Sequence, residues 1–166
     1  MRRWHAAHGE ILGCMDADLQ HPPEVLPELF ARLRAADADL VIASRGAEHG
    51  GVSEWKLRRR IVSWTATLLA RLLLPGKVRA VRDPMSGFFL LNRPVIEAVE
   101  LRPLGYKILL EVLSRGVFTR AVEIPYTFQE RAYGRSKIGL VQVWRYLRHL
   151  LRMSHAKRRY PHSGNC

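Results

Sequence analysis

The chain is 166 residues long and 48% apolar, enough for one domain with a real core and too short for two large ones. Lys and Arg number 27 against 15 Asp and Glu, a net charge of +12, and six basic residues with no acid crowd residues 145–166. This composition excludes a disordered chain, and two cysteines, Cys14 and Cys166, make no disulfide framework, so a reducing compartment is expected.

His5, His8 and Glu10 interrupt any apolar run that would serve as a leader. No stretch approaches the roughly 18–20 apolar residues that span a bilayer. Residues 10–15 form a short apolar run that stops at acids, which predicts a buried strand delivering residues 16–21 as a loop. Pro22 and Pro23 open a predicted helix with Val25, Leu26, Leu29, Phe30 and Leu33 at helical spacing. Residues 39–44 read as the next buried strand. A β-α-β unit over the first 45 residues predicts a parallel sheet whose ligands lie at the C-terminal ends of its strands.

Residues 45–53, with three glycines, read as a mobile loop. Residues 56–74 predict a strong amphipathic helix striped by Leu57, Ile61, Trp64, Thr65, Leu68, Leu69, Leu72 and Leu73. Arg58, Arg59 and Arg60 crowd its start, and Pro75-Gly76 ends it. Further on, a strand is predicted over 86–92, helices over 94–101 and 106–115, a strand over 120–124, and a last amphipathic helix over 138–153. A doubly wound sheet normally has strands before its central acidic loop, so a domain truncated at its start is expected.

Asp16-Ala17-Asp18 sets two carboxylates one residue apart at a strand end. That pair can face one hard cation, with a nucleotide sugar's diphosphate completing the shell. A solvated turn with an aspartate capping the following helix remains the alternative at this point. Likewise Arg45 reads equally as a surface cation, Arg58 to Arg60 as a solvated helix face, and Ser86-Gly87 as a plain turn. Glu111, on an apolar helix, reads as a partner for a nearby Arg or Lys.

The string Met15-Asp16-Ala17-Asp18-Leu19-Gln20-His21-Pro22-Pro23-Glu24 resembles the signature of the polyprenyl-phosphate mannose synthases, family 2 glycosyltransferases of the GT-A type. The resemblance continues in order through Val41-Ile42-Ala43-Ser44-Arg45, Arg59-Arg60-Ile61-Val62-Ser63 and Asp83-Pro84-Met85-Ser86-Gly87-Phe88-Phe89. It ends with Tyr106-Lys107-Ile108-Leu109-Leu110-Glu111 and Arg131-Ala132-Tyr133-Gly134-Arg135-Ser136-Lys137.

This resemblance implies an α/β, Rossmann-like GT-A domain over 1–141, a mostly parallel sheet with flanking helices that lacks the first nucleotide-binding strands. A basic amphipathic helix and tail over 142–166 follow. It also implies metal-dependent transfer of a hexose, mannose from GDP-mannose foremost, to a dolichyl or undecaprenyl phosphate with inversion. Asp16, Asp18 and Gln20 are implied to hold Mg²⁺ or Mn²⁺ and, through it, the donor diphosphate. Arg131 and Lys137 are implied to close over the donor phosphates on a loop hinged at Gly134 and, with Asp18, to carry catalysis. Arg45, Arg59 and Ser63 are implied to bind the acceptor phosphate.

The expected setting is the cytoplasmic face of a membrane, bound peripherally or through a membrane-protein partner. The stripe of residues 56–74 either lies on that surface or packs on the sheet, and residues 146–159 are a second candidate anchor. The alternative function is an inactive fragment acting as a basic membrane-binding module, with exposed edges that favour aggregation. A nucleic-acid partner is not expected, because no recognition motif or aromatic stacking platform accompanies the charge.

Overall fold

The computed structural model describes residues 4, 7–35, 38–52, 57–74, 76–102, 107–129 and 140–159, without the side chains of 52, 57–60, 140 and 155–159. In chain order the elements are β1 (Ile11–Met15), α1 (Leu26–Ala35, entered through a 3₁₀ turn at Pro23–Val25), β2 (Leu40–Ser44) and β3 (Gly51–Val52). Then come α2 (Leu57–Leu73), α3 (Gly76–Ala80), β4 (Phe88–Asn92), α4 (Pro94–Glu97) and α5 (Ile108–Arg115). β5 (Ala121–Pro125), β6 (Thr127–Phe128) and α6 (Leu140–Arg159) complete the described chain.

The main sheet has the order β1-β4-β2-β5, and β3 pairs with β6 in a small parallel ribbon. β2 and β5 are parallel, whereas β1 and β2, the strands of the expected β-α-β unit, point the same way but do not touch: β4 lies between them, antiparallel to both. The sheet is therefore mixed, with β1, β2 and β5 pointing one way. β4 runs against them because α2 and α3 bring the chain back to the edge where β2 ended, so the next strand must start there. Ser86 staples that start, its hydroxyl donating to Ala43 O at 2.7 Å and accepting from Phe88 N at 3.1 Å.

β2 and β4 read as continuous apolar runs because both faces of the sheet are covered. Leu40, Ile42, Phe89 and Leu91 face one core with Val78, Val95, Leu110, Leu113 and Leu150 of the helices. Val41, Ala43, Phe88 and Leu90 face a second core under Leu29 and Leu33 of α1. The result is a three-layer α/β arrangement.

Two helices leave apolar residues exposed. The stripe of α2 does not pack on the sheet: Ala70 is buried, whereas Trp64 is 66% and Leu72 62% exposed, with Ile61 and Leu68 exposed beside them. α6 runs six residues past its predicted end at 153. It binds α2 through Tyr146, whose hydroxyl donates to Ala66 O at 2.6 Å, and it too exposes Val141, Trp144 and Leu151. Glu111 is fully buried and paired, with Arg115 Nε at 2.8 Å, Arg152 Nη2 at 3.6 Å and His149 Nε2 at 3.8 Å, so it is the structural partner the sequence implies.

Candidate active site

β1, β2 and β5 share a direction, so the segments after Met15, Ser44 and Pro125 emerge at one edge. The acidic loop follows β1. Asp16 donates its N–H to Gly87 O at 3.1 Å, and its carboxylate lies directly over Gly87. A Cβ at position 87 would stand 2.2 Å from Asp16 Oδ2, so any larger residue there would push the Asp16 carboxylate out of its place. Asp18 Oδ1 accepts from Gln20 N at 3.3 Å. Between them Leu19 is left-handed (φ 59°) and 71% exposed, a strained conformation for a residue with a branched side chain.

Gln20 is buried and ties this loop to the end of β6: its Nε2 donates to Gln129 O and its carbonyl accepts from Gln129 N, both at 3.0 Å. Gln20 Oε1 is buried without a hydrogen-bond partner. His21 sits among the rings of Phe88, Tyr126 and Phe128. Its Nδ1 lies 2.9 Å from the Tyr126 hydroxyl and its Nε2 3.9 Å from Asp16 Oδ2. Burial, against the pull of Arg45, pushes the Tyr126 hydroxyl above its ordinary range and keeps it a phenol.

Arg45 follows β2. Its Nε and Nη2 meet the two oxygens of Asp83 at 2.7 and 2.8 Å, and its backbone N–H reaches Asp83 Oδ2 at 3.1 Å. Burial raises the Asp83 carboxyl, but the hydrogen bonds and charge of Arg45, with Lys107 behind them, outweigh it and hold Asp83 below the usual carboxylate range. Lys107, just before α5, donates from Nζ to Met85 O at 3.0 Å. Burial lowers its pKa to about 8; Arg45 adds to the drop, while Asp16, Asp83 and Asp18 oppose it.

The structure therefore brings Asp16, Asp18, Gln20 and Arg45 to one edge of the sheet. Ser63 lies on α2, half-buried, its carbonyl accepting from Thr67 Oγ1 at 3.0 Å. The backbone of Arg59 lies on the same helix; its side chain, and all of Arg131, Gly134 and Lys137, fall outside the described residues. Asp83, Lys107, His21 and Tyr126 belong to the same charge cluster and carry no role in the sequence reading. Lys107 gave a faint signal, as the one charge opening an otherwise apolar run; Asp83 gave none beyond its place in a motif.

Among the described residues no group of three or more His, Cys, Asp or Glu could hold a metal by itself. Two carboxylates and the unpartnered Gln20 Oε1 nevertheless fit Mg²⁺ or Mn²⁺, hard cations commonly bound by one or two carboxylates with phosphate oxygens completing the shell.

Residues 3–99 match the glycosyl transferase family 2 profile. The chain is 43% identical over 153 residues to a dolichol-phosphate mannosyltransferase of Pyrococcus furiosus, an alignment covering 92% of this chain and 43% of that protein. To a dolichol-phosphate mannosyltransferase of Saccharomyces cerevisiae it is 38% identical over 159 residues, covering 90% of this chain and 57% of the yeast protein. The chain thus spans about half the length of the curated relatives it matches. Among solved structures, glucosyl-3-phosphoglycerate synthase of Mycobacterium tuberculosis in complex with Mg²⁺ and uridine-diphosphate superposes with a TM-score of 0.64 at 20% identity, over 98% of this chain and 54% of that one. At that identity the likeness establishes the fold alone.

Proposed function

Because the chain belongs to glycosyl transferase family 2 and has a GT-A-like α/β fold, we propose that it serves the transfer of a mannosyl group from GDP-mannose to a polyprenyl phosphate, with inversion. The observation that supports this most is the meeting of Asp16 and Asp18, after β1, with Arg45, after β2, at the edge where strands of an α/β sheet present ligands. The names of the relatives support mannose and a polyprenyl acceptor.

In this reading Asp16, Asp18 and Gln20 hold a divalent cation. When bound, it neutralises charge building on the departing diphosphate. Gly87 keeps the Asp16 carboxylate seated, and the Gln20–Gln129 pair fixes the loop that carries both acids. Arg45, Arg59 and Ser63 take the acceptor phosphate, whose oxygens suit the guanidinium fork. Arg131 and Lys137 close over the donor. A phosphate monoester is mostly dianionic at neutral pH, so it needs no strong general base. One of its oxygens forms a bond to the anomeric carbon as the bond to the nucleoside diphosphate breaks. Positioning and charge neutralisation supply the rate.

The same reading places the exposed apolar faces of α2 and α6 on a lipid surface, with Trp64 and Trp144 at the interface and Arg148, 5.4 Å over the Trp144 ring, among headgroups. No described helix is long and apolar enough to cross a membrane.

Offering GDP-mannose and UDP-glucose in turn, with dolichyl phosphate in detergent, tests the substrates. A β-linked mannolipid from GDP-mannose is expected. Use of UDP-glucose in preference would overturn the donor, and equal mannosylation of a soluble sugar phosphate would overturn the lipid acceptor.

A further inference from the structure

Asp83 is buried beside the proposed acceptor site, and no role in the reaction falls to it in the reading above. It spends both carboxylate oxygens on one residue, gripping Arg45 at the backbone N–H, at Nε and at Nη2. A two-pronged pair of this kind fixes the plane and direction of a guanidinium as well as its distance. The segment carrying Asp83 is itself clamped from two sides. Glu123 of β5 accepts from the N–H groups of Arg82 and Asp83 at 2.8 and 2.9 Å. Arg71 of α2 donates to Val81 O and Arg82 O, both at 3.0 Å. Arg71 stands two turns along α2 from Ser63, so one rigid path joins the helix that bears Ser63 and Arg59 to the guanidinium of Arg45.

We propose that Asp83 is a positioning residue for the acceptor phosphate, holding Arg45 in the single orientation in which it meets that phosphate. This rests on the reading of Arg45 as an acceptor-phosphate ligand. It differs in sign from a purely electrostatic role. A carboxylate 2.7 Å from the guanidinium cancels charge that an incoming phosphate would feel, so on charge alone Asp83→Asn tightens anion binding. Loss of positioning weakens it.

The test is calorimetric titration of the whole chain with farnesyl phosphate, a short polyprenyl phosphate, for the wild type, Arg45→Met, Asp83→Asn and the double variant, with a melting curve for each. Binding is expected to weaken about tenfold in each single variant, with the double variant no weaker than Arg45→Met. If Asp83→Asn does not fold, Asp83→Glu keeps the charge but shifts the guanidinium by about one bond length, and weaker binding with an intact melting curve is expected. Tighter or unchanged binding in the Asp83 variants, or independent effects that multiply in the double variant, would overturn the proposal. Unchanged binding in Arg45→Met would sink the acceptor-site reading itself, and the proposal with it.

Discussion

At the scale of single residues, the site depends on contacts that tolerate little change. Gly87 is the sharpest case, because the carboxylate of Asp16 occupies the space a side chain would need. Gly87→Ala is expected to displace Asp16 and lower turnover roughly 100-fold, as misplacement by about an ångström does, while the circular dichroism spectrum stays that of the wild type. A variant with normal turnover would show that Asp16 works from elsewhere. Asp83 makes a second prediction. Its carboxyl titrates below its unfolded value, so its contribution to stability is full above about pH 4 and is lost as the pH falls through the lower, folded value. Asp83→Asn removes the carboxylate charge that faces the buried Arg45 guanidinium, at a cost of roughly 3–5 kcal/mol near neutrality, and flattens the loss of stability below pH 4. Urea titrations across pH would show both. The two aspartates of the acidic loop are legible in the sequence because strand, loop and carboxylates are contiguous there. Asp83 and Lys107 are not, because their chemistry comes from partners 38 and 22 residues away.

At the scale of elements, periodicity marks α1, α2 and α6 well, since each keeps an apolar stripe, whereas α5 is apolar on nearly every side and about two turns long. Periodicity marks α3 and α4 poorly, at five and four residues. The direction of β4 is not legible either: a strand buried on both faces has the same composition whichever way it runs. Nor does periodicity say what an apolar stripe faces, and α2 illustrates it. Trp64→Glu and Leu72→Glu, at positions well exposed in the fold, are expected to leave the melting curve within a few degrees while reducing co-sedimentation with anionic vesicles at least several-fold. A collapse of the fold would show instead that the stripe is core. α6 is held differently, by a buried histidine. Burial lowers the pKa of His149; Glu111 opposes this, and Arg152 and Arg115 add to it. A histidine with a depressed folded pKa costs stability once it must charge, so the packing of α6 on α5 weakens as pH falls below about 6.5. Hydrogen exchange in α6 is expected to quicken between pH 6.5 and 5.5, and His149→Gln to remove that dependence. Exchange indifferent to pH in the native chain would contradict the assignment.

At the scale of the whole molecule, two helical layers bury a four-stranded sheet and leave one edge for chemistry. At that edge acids and bases are interleaved: Asp16 and Asp18 beside Lys107, and Arg45 beside Asp83. Such an arrangement suits a reaction in which two phosphate-bearing molecules must be brought together against their mutual repulsion. The ordered motifs from Met15 to Lys137 made the family legible in the sequence, because each keeps its local string. The cluster that unites them became visible in the fold, where β4 brings Gly87 under Asp16 and the segment before it brings Asp83 to Arg45. The most direct test of the account is transfer of labelled mannose from GDP-mannose to dolichyl phosphate with Mn²⁺ or with EDTA, beside Asp18→Ala. Transfer is expected with Mn²⁺, and EDTA and the substitution are each expected to abolish it. Transfer that survives Asp18→Ala, or a folded chain that binds neither Mn²⁺ nor GDP-mannose, would contradict it.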